Sequence, residues 1–243
     1  MEALLELYRQ FKIIHVAGES GSGKSLLAQT LGQYFIQTRK RKVILVDTMQ
    51  KFSQQRFQQC FPNPVVQNNF LVAQARSFNH QKSLIKNLRQ MATRNRLQDT
   101  GLLIFDSISH FLRKEISARD YAGYIEILDL FYESTLQDLL FLALHYKIRL
   151  LFVHEMSYKP PIGTLPFLHD FFDEIRGAWV SLKCTSYEKV ASSPDPKHID
   201  EIDRFDPVVA KYSLQVPSYI EGELLEVERI PYQINASGIH FSL

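Results

Sequence analysis

A chain of 243 residues, 45% hydrophobic and 22% charged, is long enough for one well-cored domain and short for two. The start, Met1-Glu2 and then ALLELYRQF, lacks the basic stretch and small-residue cleavage site of a secretory signal; the most apolar run, LLFLALHYKIRLLFV (139–153), is broken by His145, Lys147 and Arg149, so a membrane span is not expected. The net charge of +2 conceals a basic first part (residues 1–98, 15 Lys/Arg against 4 Asp/Glu) and an acidic remainder (13 against 22), a polarity that suits nucleic acid on one face, attraction between subunits, or a solvated surface neutralised by folding.

Residues 1–10 allow a short helix. FKIIHVA (11–17) is an apolar, β-branched run ending in glycine-rich sequence, the pattern of a buried strand. From Lys24 to Gln37, Leu27, Leu31, Tyr34 and Phe35 recur at helical spacing. KVILVDT (42–48), GLLIFDS (101–107) and IRLLFVHE (148–155) are three further short apolar runs with polar ends. Helices are expected between them, over roughly 80–97, with Leu84, Ile85, Leu88 and Met91 on one face, and over 121–146. Such alternation predicts a parallel sheet covered on both sides. The last third changes character: 208–216, 223–234 and 238–241 read as antiparallel strands, and SSPDPKHIDEIDRFDP (192–207) as an exposed acidic loop. Within that loop Ile199, Ile202 and Phe205 stand among acids, a pattern able to dock on a basic, partly apolar partner. Cys60 and Cys184 stand alone, without metal-type spacing, as reduced structural thiols do inside cells.

One stretch carries chemistry. Gly18-Glu19-Ser20-Gly21-Ser22-Gly23-Lys24-Ser25 fits GxxxxGK[ST] and lies between an expected strand and an expected helix, the context the motif requires. Its backbone N–H groups and the helix N-terminus would cradle phosphates; Lys24 would pair with β- and γ-phosphate oxygens, and Ser25 would ligate Mg²⁺. Asp106, ending LLIF, is either a helix N-cap or the acid that holds Mg²⁺ from a neighbouring strand end. In open α/β sheets ligands gather at the carboxyl ends of the strands, which brings Asp47, Asp106, His154 and Glu155 to the edge occupied by Gly18–Ser25.

These motifs, in their order, resemble the RecA/RadA recombinase family, especially its short paralogues such as archaeal RadB. VDTMQKFSQQRF is similar to the family's VDTEGxFxxxR, LLIFDSISHFLRKE to its LLIVDSxxxxxR, and YQINASGIHF to its closing FxIxxxGI strand pair. LLFVHEM stands where the family has a strand ending in Asn-Gln. The resemblance implies a RecA-type phosphate-loop core over residues 1–243: a mostly parallel twisted sheet, helices on both faces and antiparallel C-terminal strands. It implies ATP and Mg²⁺ as cofactors, DNA (single-stranded by expectation) and a recombinase or paralogue subunit as partners, and an intracellular location, nucleoid or nuclear according to the organism. Two departures bear on catalysis. Met49 replaces the glutamate that orients the attacking water, and His154-Glu155 replaces the Asn-Gln pair that senses the γ-phosphate. With ten residues before Phe11, the family's N-terminal DNA-binding domain is not expected here.

In that reading segments 113–121 and 156–177 take the positions of the two DNA-facing loops. Arg113, Lys114, Arg119, Lys159 and Arg176 are then the basic DNA-binding candidates and Tyr158 a stacking platform. Glu155 is the candidate replacement base. The run Arg39-Lys40-Arg41-Lys42 falls at the opposite edge of the sheet, open to nucleic-acid contact, to an import-like role or to plain solubility, and Lys82, Lys86 and Arg89 share one helical face. The rival readings are a nucleoside or nucleotide kinase, disfavoured because 156–177 contains a single arginine, and a degenerate structural subunit of a repair complex.

Overall fold

The computed structural model describes residues 2–159, 161, 163–175, 177–189, 208–220, 223–235 and 238–241. In chain order it contains α1 (Glu2–Gln10), β1 (Ile13–Gly18), α2 (Lys24–Arg39), β2 (Lys42–Asp47), α3 (Gln54–Cys60), α4 (Pro64–Asn69), β3 (Phe70–Gln74), α5 (Phe78–Thr93) and β4 (Thr100–Asp106). Then come α6 (His110–Ser117), α7 (Tyr121–Phe131), a π-helical turn (Tyr132–Leu136), α8 (Gln137–His145), β5 (Arg149–Val153), the hairpin strands β6 (Met156–Lys159) and β7 (Gly163–Pro166), and α9 (His169–Asp173). Four long or closing strands follow: β8 (Ala178–Lys189), β9 (Val208–Ile220), β10 (Glu223–Asn235) and β11 (Gly238–Phe241).

Nine strands form one sheet in the order β11-β10-β9-β8-β1-β5-β4-β2-β3. Pairings from β8 through β3 are parallel, and those from β8 outward to β11 are antiparallel. This is the expected fold class. The central strands read as unbroken apolar runs because both their faces are covered. Side chains alternate between two cores at the strand period. Val43, Leu45, Leu102, Ile104, Leu151 and Val153 pack with α2 on one face, while Ile44, Val46, Leu103, Phe105, Leu150 and Phe152 pack with α5 and the α6–α9 layer on the other. Each such large side chain contributes about 1.5–3 kcal/mol through burial, so two-sided coverage of β4 and β5 is the main force holding the sheet.

Several local expectations change. The segment 121–146 is interrupted by the π turn at 132–136, where one extra residue shifts the helical register. In α5 the buried face is Phe78, Gln81, Ile85, Leu88 and Ala92; Met91, expected on that face, is 39% exposed. The segment 156–177, expected as a loop, contains an antiparallel hairpin and a short helix. β3 and β8 were not expected at all. The acidic segment 192–207 and Arg176 lie outside the described residues. Among the described residues no helix is long and apolar enough to cross a membrane.

Candidate nucleotide site

Because β1, β2, β4 and β5 run parallel, their carboxyl ends open on one edge, and the chain there walls a cavity of about 500 Å³. Gly21, Gly23, Lys24 and Ser25 line it, together with Met49, Asp106 and Glu155. Gly23 caps α2 in a left-handed conformation (φ 87°), and a Cβ there would stand 2.5 Å from Ile234 Cδ1. Only glycine serves both conditions. The backbone thus turns directly into the first turn of a 16-residue helix, whose unpaired N–H groups suit an anion. From behind, the Tyr232 hydroxyl donates to Ser22 O at 2.6 Å.

Lys24 Nζ donates to Gly18 O and Glu19 O, both at 2.7 Å, which draws the ammonium across the loop. Burial lowers its pKa, opposed by Asp106 and Glu155. Asp106 is the last residue of β4. The helix that follows starts only at His110, with Ser109 as its N-cap, so the capping role considered for Asp106 does not apply. Burial raises the Asp106 pKa, while a hydrogen bond from Ser25 and the charge of Lys24 lower it. Thr48 fixes the strand end: its hydroxyl donates to Ser107 O and accepts from Ser107 N, each at 2.8 Å. Asp47, also expected at this edge, is buried and accepts from Met49 N (3.1 Å) and Phe52 N (2.9 Å). It shapes the turn that puts Met49 in the cavity wall.

The cavity lining also carries Lys51, Arg56 and Arg113, cations that the motif reading did not assign to it. With Lys24 they outnumber the two lining carboxylates, Asp106 and Glu155, which favours a polyanion over a neutral ligand. The donor set fits a magnesium-bound triphosphate. Hard oxygen donors from Ser25 and Asp106 suit Mg²⁺, a lysine spans the loop, and the Ser22 hydroxyl is buried with no hydrogen-bond partner among the described residues.

Of the expected DNA-facing residues that are described, Arg113 reaches the start of β6, the strand that carries Tyr158 and Lys159. Arg113 donates to Met156 O at 3.0 Å and lies over the Phe167 ring, in the cavity wall. Lys114 is exposed beside Phe111, and Arg119 pairs with Glu115 at 3.4 Å. Tyr158 is 72% exposed on β6, and Lys159 ends that strand opposite Gly163. On α5, Arg89 is paired with Asp138, which breaks the stripe expected with Lys82 and Lys86.

His154, expected at this edge, lines the cavity and makes a pairing that the sequence reading missed. His15 Nδ1 and His154 Nε2 are 2.9 Å apart and both residues are fully buried. Trp179 stacks on His15 at 4.4 Å, with His169 on Trp179 at 4.9 Å. One signal was available, a histidine inside an otherwise apolar strand. Glu155, the next residue, has its Oε1 3.2 Å from His110 Nδ1.

A mostly parallel sheet with helices on both faces, a glycine-rich phosphate loop between β1 and α2, and an acid at the end of β4 define the RecA-like class of phosphate-loop proteins. The chain belongs to the Rad51 family: the Rad51 family model matches residues 6–185, most of its length. Members of that family act on DNA, oligomerise and generally bind ATP with Mg²⁺. No curated protein matches the chain significantly.

Proposed function

We propose that the chain is a single-domain recombinase paralogue that holds ATP and Mg²⁺, hydrolyses ATP weakly or not at all, and acts in recombination and repair with a recombinase or paralogue subunit on single-stranded DNA. Lys24 would neutralise the phosphates, and Ser25 and Asp106 would hold the metal. The observation that carries the reading is Met49 in the cavity wall. A thioether accepts no proton, and a positioned general base is worth roughly 10²- to 10⁴-fold in rate.

A second reading rests on Glu155, whose carboxylate lines the same cavity and is oriented by His110. In it the base has moved to the end of β5 and the chain is a working ATPase. Turnover by the wild type, Met49→Glu and Glu155→Gln, each with and without single-stranded DNA, decides between them. Slow wild-type turnover that rises at least tenfold in Met49→Glu supports holding. Fast wild-type turnover that collapses in Glu155→Gln overturns it.

A further inference from the structure

The edge of the sheet opposite the nucleotide cavity carries a second pocket, of about 230 Å³, between α1, the last turns of α2 and the start of β5. Three arginines line it, Arg9, Arg39 and Arg149, with Tyr8 and Tyr34 between them and no acid in the lining. Arg149 is committed on one side, donating to Phe11 O at 2.8 Å. Arg9 pairs with Glu6 at 2.9 Å, but both side chains are at least half exposed, and such a pair exchanges readily for a better anion. Arg39 has no ion pair among the described residues. The Tyr8 side chain is 5% exposed, and its hydroxyl is buried without a hydrogen-bond partner. A buried donor left unpaired is costly and rare in a native fold.

We infer that this pocket binds a phosphate group, and that the phosphate belongs to a nucleic-acid backbone running along the basic edge of the sheet. The pocket brings together what a phosphate needs: guanidinium donors and a buried hydroxyl donor, with the one carboxylate that competes, Glu6, held outside the lining in an exposed pair with Arg9. Burial lowers the Arg149 pKa first, and the nearby Arg39 charge lowers it further, so the two guanidiniums repel one another and an anion between them relieves both. The last turn of α2 presents its negative dipole end here, an effect confined to that turn and opposed by three full charges.

The surroundings favour a polymer over a small phosphorylated compound. β1, β5 and β2 begin at this edge, bringing Lys12, Arg149 and Lys42 to it. Lys40 and Lys147 are exposed on the adjoining loops. The acid met along these strand starts is Asp99, 3.7 Å from Lys42 and 79% exposed. The basic run at residues 39–42 thereby gains a role other than solubility. The site is independent of the nucleotide reading, since six residues of β1 separate the two edges by about 20 Å.

The test is fluorescence anisotropy with labelled single-stranded and duplex oligonucleotides, beside calorimetry with inorganic pyrophosphate and with ATP. Arg39→Glu is expected to weaken oligonucleotide binding at least tenfold and to reduce the salt slope by about one to two, with ATP affinity unchanged. Tyr8→Phe keeps the ring contact with Phe35 and removes one hydrogen bond. It is expected to weaken oligonucleotide binding about threefold without lowering the melting temperature. Lys86→Glu on α5 controls for net charge and should leave binding within twofold. Equal loss in Lys86→Glu, or unchanged binding in both Arg39→Glu and Tyr8→Phe, overturns the site. Pyrophosphate binding that Arg39→Glu abolishes, with oligonucleotide binding unaffected, overturns the nucleic-acid assignment in favour of a small phosphorylated ligand.

Discussion

Replacing Lys24 with alanine is expected to weaken ATP binding about a hundredfold, which at 1.4 kcal/mol per tenfold is close to 3 kcal/mol. Two effects act in the same direction. The variant loses charge-assisted hydrogen bonds to phosphate, each worth about 1.5–3 kcal/mol. It also removes the cation that sits against Asp106 and Glu155, so an incoming polyanion meets two less balanced carboxylates. Lys51, Arg56 and Arg113 remain in the wall, which is why the loss is expected to be large and not total. Calorimetry with ATP and Mg²⁺ measures it, with an unchanged circular dichroism spectrum as the check on folding. Equal affinity in the variant removes the nucleotide assignment.

Stability should fall steeply below about pH 6.5. Burial pushes the His15 pKa down to about 3, and it pushes His154 well below its ordinary value, where the His15 and His169 charges add to the effect. One imidazole donates to the other at 2.9 Å, an arrangement made by neutral rings among Phe152, Phe172 and Trp179. In the unfolded chain both histidines take up protons near pH 6.5; in the folded chain they do not. The unfolded state therefore binds more protons over this window, so stability rises with pH and is fully present above the unfolded pKa. Each histidine contributes a slope of about 1.4 kcal/mol per pH unit, so the pair removes between 2 and 3 kcal/mol per unit below about pH 6, against a typical total of about 5–15. Asp106 works the other way, because its raised pKa costs stability as pH increases from 3.8. Urea unfolding at pH 7.5, 6 and 5 measures the net slope, and His154→Asn should roughly halve it. A flat profile in the wild type would falsify the neutral buried pair.

Central strands were legible because two-sided burial writes itself as uninterrupted apolar sequence, and the phosphate loop because its spacing leaves few alternatives. β3 was not, since an edge strand is half exposed: Leu71 and Gln74 face solvent, so FLVAQ shows neither alternation nor a long apolar run. β8 mixes Ser, Lys and Thr into its twelve residues because it leaves the parallel core partway along its length. The π turn has no composition of its own. His15 and His154 are 139 residues apart, and their meeting follows from β1 and β5 being neighbours, which periodicity cannot supply. The basic residues of 113–121 were assigned from the position of that segment in the resembled family; Arg113, on α6, lines the cavity, and Arg119, just past that helix, pairs with Glu115.

The hydrogen bond from Tyr232 to Ser22 spans 210 positions, and Ile234 closes the space beside Gly23. A ribosome adding about 5–20 residues per second takes between roughly 10 and 40 seconds to travel that distance. During that time α2 and the first strands are available to fold, but the rear wall of the phosphate loop has not yet been synthesised. The element that marks the chain most clearly is therefore made long before the strand that completes it.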